Sequence, residues 1–253
     1  MKYTGSKRRI IKLLRPYLEK YRLNATHYIE LFVGGCNAII DTNISLQRIG
    51  NDHNFYLIAL LEALRKGYKP PMQFTKEEYL EVKKNRENYP PELVGYIGYS
   101  SFKAKWFQGF VSNEYYYTKP YLTQKRRNPQ LEYYRSVMNM IPFIQDIKFT
   151  SLDYREVIIP NKSIVYCDPP YQLSSKLNND YYYYYREKSF DHNAFWDYMR
   201  VISKNNFVFI SELNAPDDFK CIFQTELANE CMDKRTVDIK YNNEKLFIMN
   251  YSK

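Results

Sequence analysis

The stretch Ser163-Ile164-Val165-Tyr166-Cys167-Asp168-Pro169-Pro170-Tyr171 constrains the fold more than any other part of the chain. Ile164 to Tyr166 is β-branched and aromatic, the composition of a buried strand. Pro169 and Pro170 lack an N–H and have a fixed φ, so no sheet ladder continues through them. The chain must leave the sheet there, with Asp168 at the strand's carboxyl end. In open α/β sheets that end is where ligands bind. An acid, rigid backbone carbonyls and an aromatic ring are thus presented together, although a plain surface turn uses the same residues.

The chain has 253 residues, 37 Lys and Arg against 28 Asp and Glu, and a net charge of +9. That is long enough for one α/β domain with an insertion, or for two small domains. The charge favours a polyanionic partner, nucleic acid before an acidic membrane. The 27 tyrosines suit base stacking but are also what a low-GC genome encodes. Cys36, Cys167, Cys221 and Cys231 have no CxxC spacing, and with three scattered histidines they make no zinc pattern. No bound metal is expected, and free thiols imply a reducing compartment. No signal-peptide core and no 18-residue apolar run occurs. The expectation is a cytoplasmic protein, or a nuclear one if the host has a nucleus, with no membrane partner, acting as a monomer or weak dimer.

Along the chain, residues 1–15 carry six basic residues and no acid. A helical face follows from Lys7 to Leu18, with Pro16 expected to break or restart it. Tyr28 to Phe32 reads as a strand, Val33-Gly34-Gly35-Cys36 as a glycine turn, and Asn37 as a cap for a helix over Ala38 to Ile40. A second short element, Gln47 to Asp52, precedes an apolar helix that ends at Gly67. Strand, glycine turn, helix, strand, acid is the plan of a mononucleotide-binding βαβ unit. Between about 68 and 148 the composition changes: seven prolines punctuate it, and 13 Lys and Arg face 8 Asp and Glu. Helices near 75–88 and 130–141 make this an inserted, mostly helical subdomain. The α/β pattern resumes with Ile147 to Thr150, the strand into Asp168, a helix over Ser189 to Lys204 and a strand over Asn206 to Ser211. Tyr181 to Tyr185 sit in a polar loop-like stretch. Asn242-Asn243-Glu244 reads as a hairpin turn.

Three constellations carry chemistry. Gly34 and Gly35 allow backbone to approach a ligand, and Asp52, 18 residues beyond Gly34, suits the two hydroxyls of a ribose. The full GxGxxG fingerprint and any Walker lysine loop are missing, which favours a nucleoside without pyrophosphate, such as S-adenosylmethionine, over NAD or ATP. An ordinary strand–turn–helix remains the competing reading. At Asp168-Pro169-Pro170-Tyr171, a carboxylate and a backbone carbonyl can accept the two hydrogens of an exocyclic amine. That aims the nitrogen lone pair at a methyl donor, while Tyr171 stacks on the base. Such catalysis is positioning and electrostatics. The third constellation is basic and aromatic: Tyr115 to Tyr121, with Lys119, leads to Lys125-Arg126-Arg127-Asn128 with no acid before Leu131. Lys and Arg neutralise phosphates and Arg reads guanine edges, though a solvated loop has the same composition.

In order, Tyr3-Thr4-Gly5-Ser6-Lys7, Glu30-Leu31-Phe32-Val33-Gly34-Gly35, Asn51-Asp52 and Asp168-Pro169-Pro170-Tyr171 resemble the motifs of the Dam-like DNA adenine methyltransferases, the α class of amino-methyltransferases. Phe190-Asp191-His192 and Ser211-Glu212-Leu213-Asn214-Ala215-Pro216 are similar to that family's late helix–strand region. The resemblance implies a Rossmann-like S-adenosylmethionine-dependent α/β sheet from 1–67 and 149–253, with 68–148 as the target-recognition insert. It implies that Asp168, Pro169, Pro170 and Tyr171 hold a flipped adenine. Tyr3, Lys7, Glu30, Phe32, Gly34, Asp52, Asp153 and Asp168 would contact the cofactor. Double-stranded DNA would be held by Arg8, Lys119, Lys125, Arg126, Arg127 and Asn128, at a short site such as GATC.

The chain departs from the family at Leu31, where proline is usual, and at Lys103, Ala104 and Gln108, where glycines are common. An inactive homologue acting as a DNA-binding or partner subunit, an RNA adenine or cytosine-N4 methyltransferase, and a protein glutamine methyltransferase are the alternatives. The intact Asp168 tetrapeptide and Asp52 weigh against the first, and Asp168 in place of asparagine against the last.

Overall fold

The computed structural model describes all residues except 2, 4, 5, 43, 44, 102–105, 115, 118–125, 171–189, 233–236 and 251–253, and only the backbone at 9, 116, 117, 126, 226–232 and 237–243. In chain order the elements are α1 (Ile11–Glu19), β1 (His27–Glu30), α2 (Asn37–Asp41), β2 (Gln47–Asn51), α3 (Phe55–Arg65), α4 (Lys76–Lys84), α5 (Pro91–Tyr99), two-residue strands β3 (Tyr116–Tyr117) and β4 (Arg126–Arg127), α6 (Pro129–Met138), β5 (Ile147–Thr150), β6 (Ile164–Cys167), α7 (His192–Ser203), β7 (Phe207–Glu212), β8 (Phe219–Met232) and β9 (Val237–Met249). They pack as two units. One comprises Met1–Lys12 and Val33–Val157, the other Leu13–Phe32 and Ile158–Lys253. The expected α/β class is the one observed.

In the second unit β6 lies between β1 and β7, parallel to both. All four residues of β6 are buried. Only a strand covered on both faces is apolar at every position, which is why its sequence does not alternate. β9 then runs antiparallel to β7 and to β8. Asn242, Asn243 and Glu244 do not form the hairpin turn expected of them. They lie inside the β8–β9 ladder, opposite Leu227, Glu226 and Thr225. A register shared over two strands of 14 and 13 residues outweighs a local turn preference. Pro16 does not break α1 either. As the sixth of nine helical residues it removes one interior i→i−4 hydrogen bond, while Leu14 and Leu18, buried on the same face, hold the helix down.

In the first unit β2 pairs with β5 in parallel. Arg48 on β2 secures this edge: it donates to the Ile39 and Phe143 carbonyls and pairs with Asp146, whose carboxyl it holds below the ordinary value. The apolar helix α3 is capped by Asn54, whose Oδ1 accepts from Leu57 N. It packs against α5, a helix the sequence pattern does not reveal. A Cβ at Gly95 would fall 2.1 Å from the Tyr56 carbonyl oxygen, so the α3–α5 approach requires glycine there. Asn37 is not the cap of α2; Cys36 is, in the left-handed region, without a side-chain bond. The Asn37 amide is used instead by the Met1 backbone, donating to its carbonyl and accepting from its amino group.

Candidate active site

In the second unit, the parallel register brings Glu30, Tyr166 and the carboxyl end of β7 to the level from which Asp168 emerges. The Leu31 N–H donates to the Tyr166 carbonyl at 3.3 Å. The Tyr166 hydroxyl and the Ser211 hydroxyl lie 2.7 Å apart, both groups buried, which ties β6 to β7 one step before the exit. Burial, and after it the Asp168 charge, pushes the Tyr166 phenol and the Cys167 thiol well above their ordinary values. Tyr166 therefore stays a hydroxyl, and Cys167 a thiol with no nucleophilic character. Asp168 is half-buried, Pro169 buried and Pro170 exposed. Tyr171 lies outside the described residues. Glu30 is buried and accepts from the Tyr28 hydroxyl at 2.8 Å. Phe32 is half-buried, its ring edge-on to Phe190 and Phe195.

The glycine turn belongs to the first unit. Gly34 has φ +48, which strains any other residue, and its N–H donates to Asp52 Oδ2 at 3.0 Å. The Asn54 N–H donates to Asp52 Oδ1 at 2.9 Å. Burial raises the Asp52 carboxyl above its ordinary value, against the pull of those two N–H groups and of His53. The Tyr3 ring covers the turn: a Cβ on Gly34 would come within 2.9 Å of it. Tyr3 in turn packs on Tyr99 at 5.3 Å, and the Tyr99 hydroxyl accepts from Asn54 Nδ2. The first unit thus brings Tyr3, Gly34 and Asp52 together. Lys7 opens a short 3-10 turn and is buried. Asp153 is bound to Arg155, at 2.8 and 2.9 Å, which lowers its carboxyl.

Among the expected DNA contacts, Arg8 is exposed, 3.7 Å from Asp41. Arg127 makes a two-pronged pair with Glu132, and Asn128 is buried. Asn128 Oδ1 accepts from Leu131 N and caps α6, while its amide donates to the Asn113 carbonyl. Lys119, Lys125, the Arg126 side chain and Tyr181 to Tyr185 lie outside the described residues. Asn54, Tyr99, Tyr166 and Ser211 were not singled out by sequence. Asn54 has a local signal, a capping residue two positions after the acid, and Tyr166 and Ser211 lie in stretches the sequence marks without a role for either side chain. Among the described residues, no cluster of His, Cys, Asp and Glu could hold a metal, and no helix is long and apolar enough to cross a membrane.

Residues 3–245 match the family model described as D12 class N6 adenine-specific DNA methyltransferase. The chain belongs to that family. The methyltransferase therefore acts on adenine in DNA and depends on a methyl donor of the S-adenosylmethionine type, as the Dam-like resemblance implied. Among solved structures, a candidate methylase of Haemophilus influenzae aligns over 99% of this chain and 92% of its own, at 8% identity and a TM-score of 0.34.

Proposed function

We propose that the enzyme methylates the N6 amine of an adenine flipped out of duplex DNA, with S-adenosylmethionine as donor, and that Asp52 and Asp168 divide the work. The observation that carries this reading is the exit of β6. A buried parallel strand ends in Asp168, and two prolines stop the backbone from continuing in the sheet.

The residues fit the cofactor. Each Asp52 oxygen accepts one backbone N–H and keeps a lone pair for one of two neighbouring ribose hydroxyls. The glycine turn leaves its backbone close to that carboxylate. Tyr3, Lys7, Glu30, Phe32, Gly34, Asp153 and Asp168 complete the proposed cofactor contacts. When bound, the sulfonium supplies an electrophilic methyl group. The chain's own task is orientation. The Asp168 carboxylate and the Pro169 carbonyl accept the two N6 hydrogens, which turns the nitrogen lone pair out of conjugation with the ring. Tyr171 stacks on the base. As the methyl is transferred, the surplus amine proton leaves through the Asp168 carboxylate. Holding an amine this way needs neither a nucleophilic cysteine nor a histidine base.

Residues 68–148 serve as the target-recognition insert. Arg8, Lys119, Lys125, Arg126 and Arg127 neutralise phosphates or meet base edges, whereas Asn128, used as a cap, acts by position. The site is short, GATC or similar, and the enzyme works as a monomer or weak dimer.

The test is incubation of purified protein with methyl-labelled S-adenosylmethionine and mixed-sequence DNA, followed by nucleoside digestion. Labelled N6-methyladenine is expected; label in N4-methylcytosine, or none in DNA, would overturn the reading.

A further inference from the structure

The first turn of α6 holds three polar side chains with a common task. Gln130 has no solvent exposure, yet it sits at the second position of a helix, where a glutamine normally faces water. Its amide is fully used: Oε1 accepts from Phe74 N at 3.0 Å, and Nε2 donates to the carbonyls of Phe74 (2.9 Å) and Val111 (2.8 Å). A side chain that bonds both the N–H and the C=O of one residue imitates a neighbouring strand, and it satisfies a loop that has no strand partner of its own. Asn128 reaches the Asn113 carbonyl, and Glu132 grips the Arg127 guanidinium at 2.7 and 2.5 Å.

These three ties share one geometry. Val111 and Asn113 lead into β3, and Arg127 belongs to β4, which pairs antiparallel with β3 through Tyr116–Arg127 and Tyr117–Arg126. The chain that leads into β3 and Arg127 of β4 are therefore both bonded to one helix start, and Gln130 ties the same point to Phe74. The Phe74 ring sits on Phe110 and Tyr96, and Tyr96 on Tyr133 of α6, so the ties rest on an aromatic floor. Such a floor holds a helix, but aromatic packing alone does not fix the direction of two strands. Directed, buried hydrogen bonds do.

We propose that Gln130 is a positioning residue for sequence recognition: with Asn128 and Glu132 it fixes the base of the β3–β4 pair, so that Arg127 on β4 meets only one register of the DNA. The proposal rests on the reading of residues 68–148 as the target-recognition insert. It assigns Gln130 no contact with DNA, since its side chain is enclosed. Loosening the base lets contacts form in several registers, so wrong sites gain as the right one loses. Displacements of about 1 Å at a reacting group are enough for changes on the order of 100-fold.

The experiment expresses the wild-type chain, Gln130→Leu and Glu132→Gln in a host free of DNA methylation and maps N6-methyladenine in host DNA by single-molecule sequencing. The readout is the ratio of the methylation rate at the preferred sequence to that at its one-base neighbours. We expect this ratio to fall at least about tenfold in Gln130→Leu, with the affinity of the purified protein for S-adenosylmethionine unchanged by calorimetry. A purely structural role would lower all rates with the folded fraction and leave the ratio intact, and that result overturns the proposal. If Gln130→Leu does not fold, Glu132→Gln decides. It loosens the half-exposed Arg127–Glu132 pair at the start of α6 and should still lower the ratio severalfold, and an unchanged ratio refutes the inference. Wild-type protein that methylates DNA with no sequence preference would refute the underlying reading of the insert instead, a result distinct from either.

Discussion

Asp52 and Asp168 each follow a parallel strand at its carboxyl end, and there the likeness stops. After Asp52 the chain turns into α3 and the Asn54 N–H donates back to the acid, while the glycine turn supplies a second donor, the Gly34 N–H. After Asp168 come two residues without N–H groups. The same topological position therefore yields two kinds of acid. One is pinned by backbone donors and suited to binding a fixed pair of hydroxyls. The other ends a rigid strand and is followed by two prolines, which offer carbonyls and no N–H, an arrangement that suits accepting hydrogens from an amine.

The contrast can be broken by mutation. The largest effect should come from Asp168→Ala. Loss of the amine acceptor should lower turnover by about 1,000-fold or more, since a single positioned polar group is worth on the order of 100- to 1,000-fold and this one both orients and accepts a proton. Single-turnover methylation of DNA measures this, and turnover within tenfold of wild type would show that the site is misassigned. Next comes Asp52→Ala. Loss of two hydrogen bonds to a charged acceptor, each worth about 1.5 kcal/mol net at the low end, should weaken S-adenosylmethionine binding by about 100-fold in calorimetry.

The pH dependence follows from the same acid. Burial raises the Asp52 carboxyl, so it takes up a proton at a higher pH than an ordinary aspartate. The ionised form is the acceptor, so cofactor affinity should fall as pH is lowered through that raised value. Asp153, held below the ordinary range by Arg155, stays charged there and adds nothing. Affinity measured against pH in wild type and Asp52→Asn checks this; an identical acid limb in both would exclude Asp52 as its source. A smaller effect belongs to Tyr166→Phe. Leaving the buried Ser211 hydroxyl without its tyrosine should cost about 1–2 kcal/mol of stability, read from denaturant unfolding. Asp168 itself stays in place, so turnover of the folded fraction should drop only severalfold.

How much of this was legible in the sequence differs between the two acids and the rest. β6 announced itself because a strand buried on both faces is apolar at every position and prolines end it visibly. Asp52 was legible because the glycine turn and the acid keep a characteristic interval. The features that escaped depend on partners far along the chain. α5 was hidden because Gly95 and Gly98, poor helix formers in isolation, are required by the close approach of α3 and of Trp106. Asn37 looked like a cap until the Met1 backbone took its amide, and Asn242-Asn243-Glu244 looked like a turn until β8 imposed its register. Gln130 gave no signal at all, since nothing in a polar helix start tells which glutamine will be enclosed.

The division of labour is tested most directly by measuring methylation rates of Asp52→Ala and Asp168→Ala side by side as S-adenosylmethionine is raised to saturation. Asp52→Ala should recover to within about tenfold of the wild-type rate, because only the binding of the donor was lost, whereas Asp168→Ala should stay near background at every concentration. Rescue of Asp168→Ala by cofactor, or a saturated rate for Asp52→Ala as low as that of Asp168→Ala, would contradict the account.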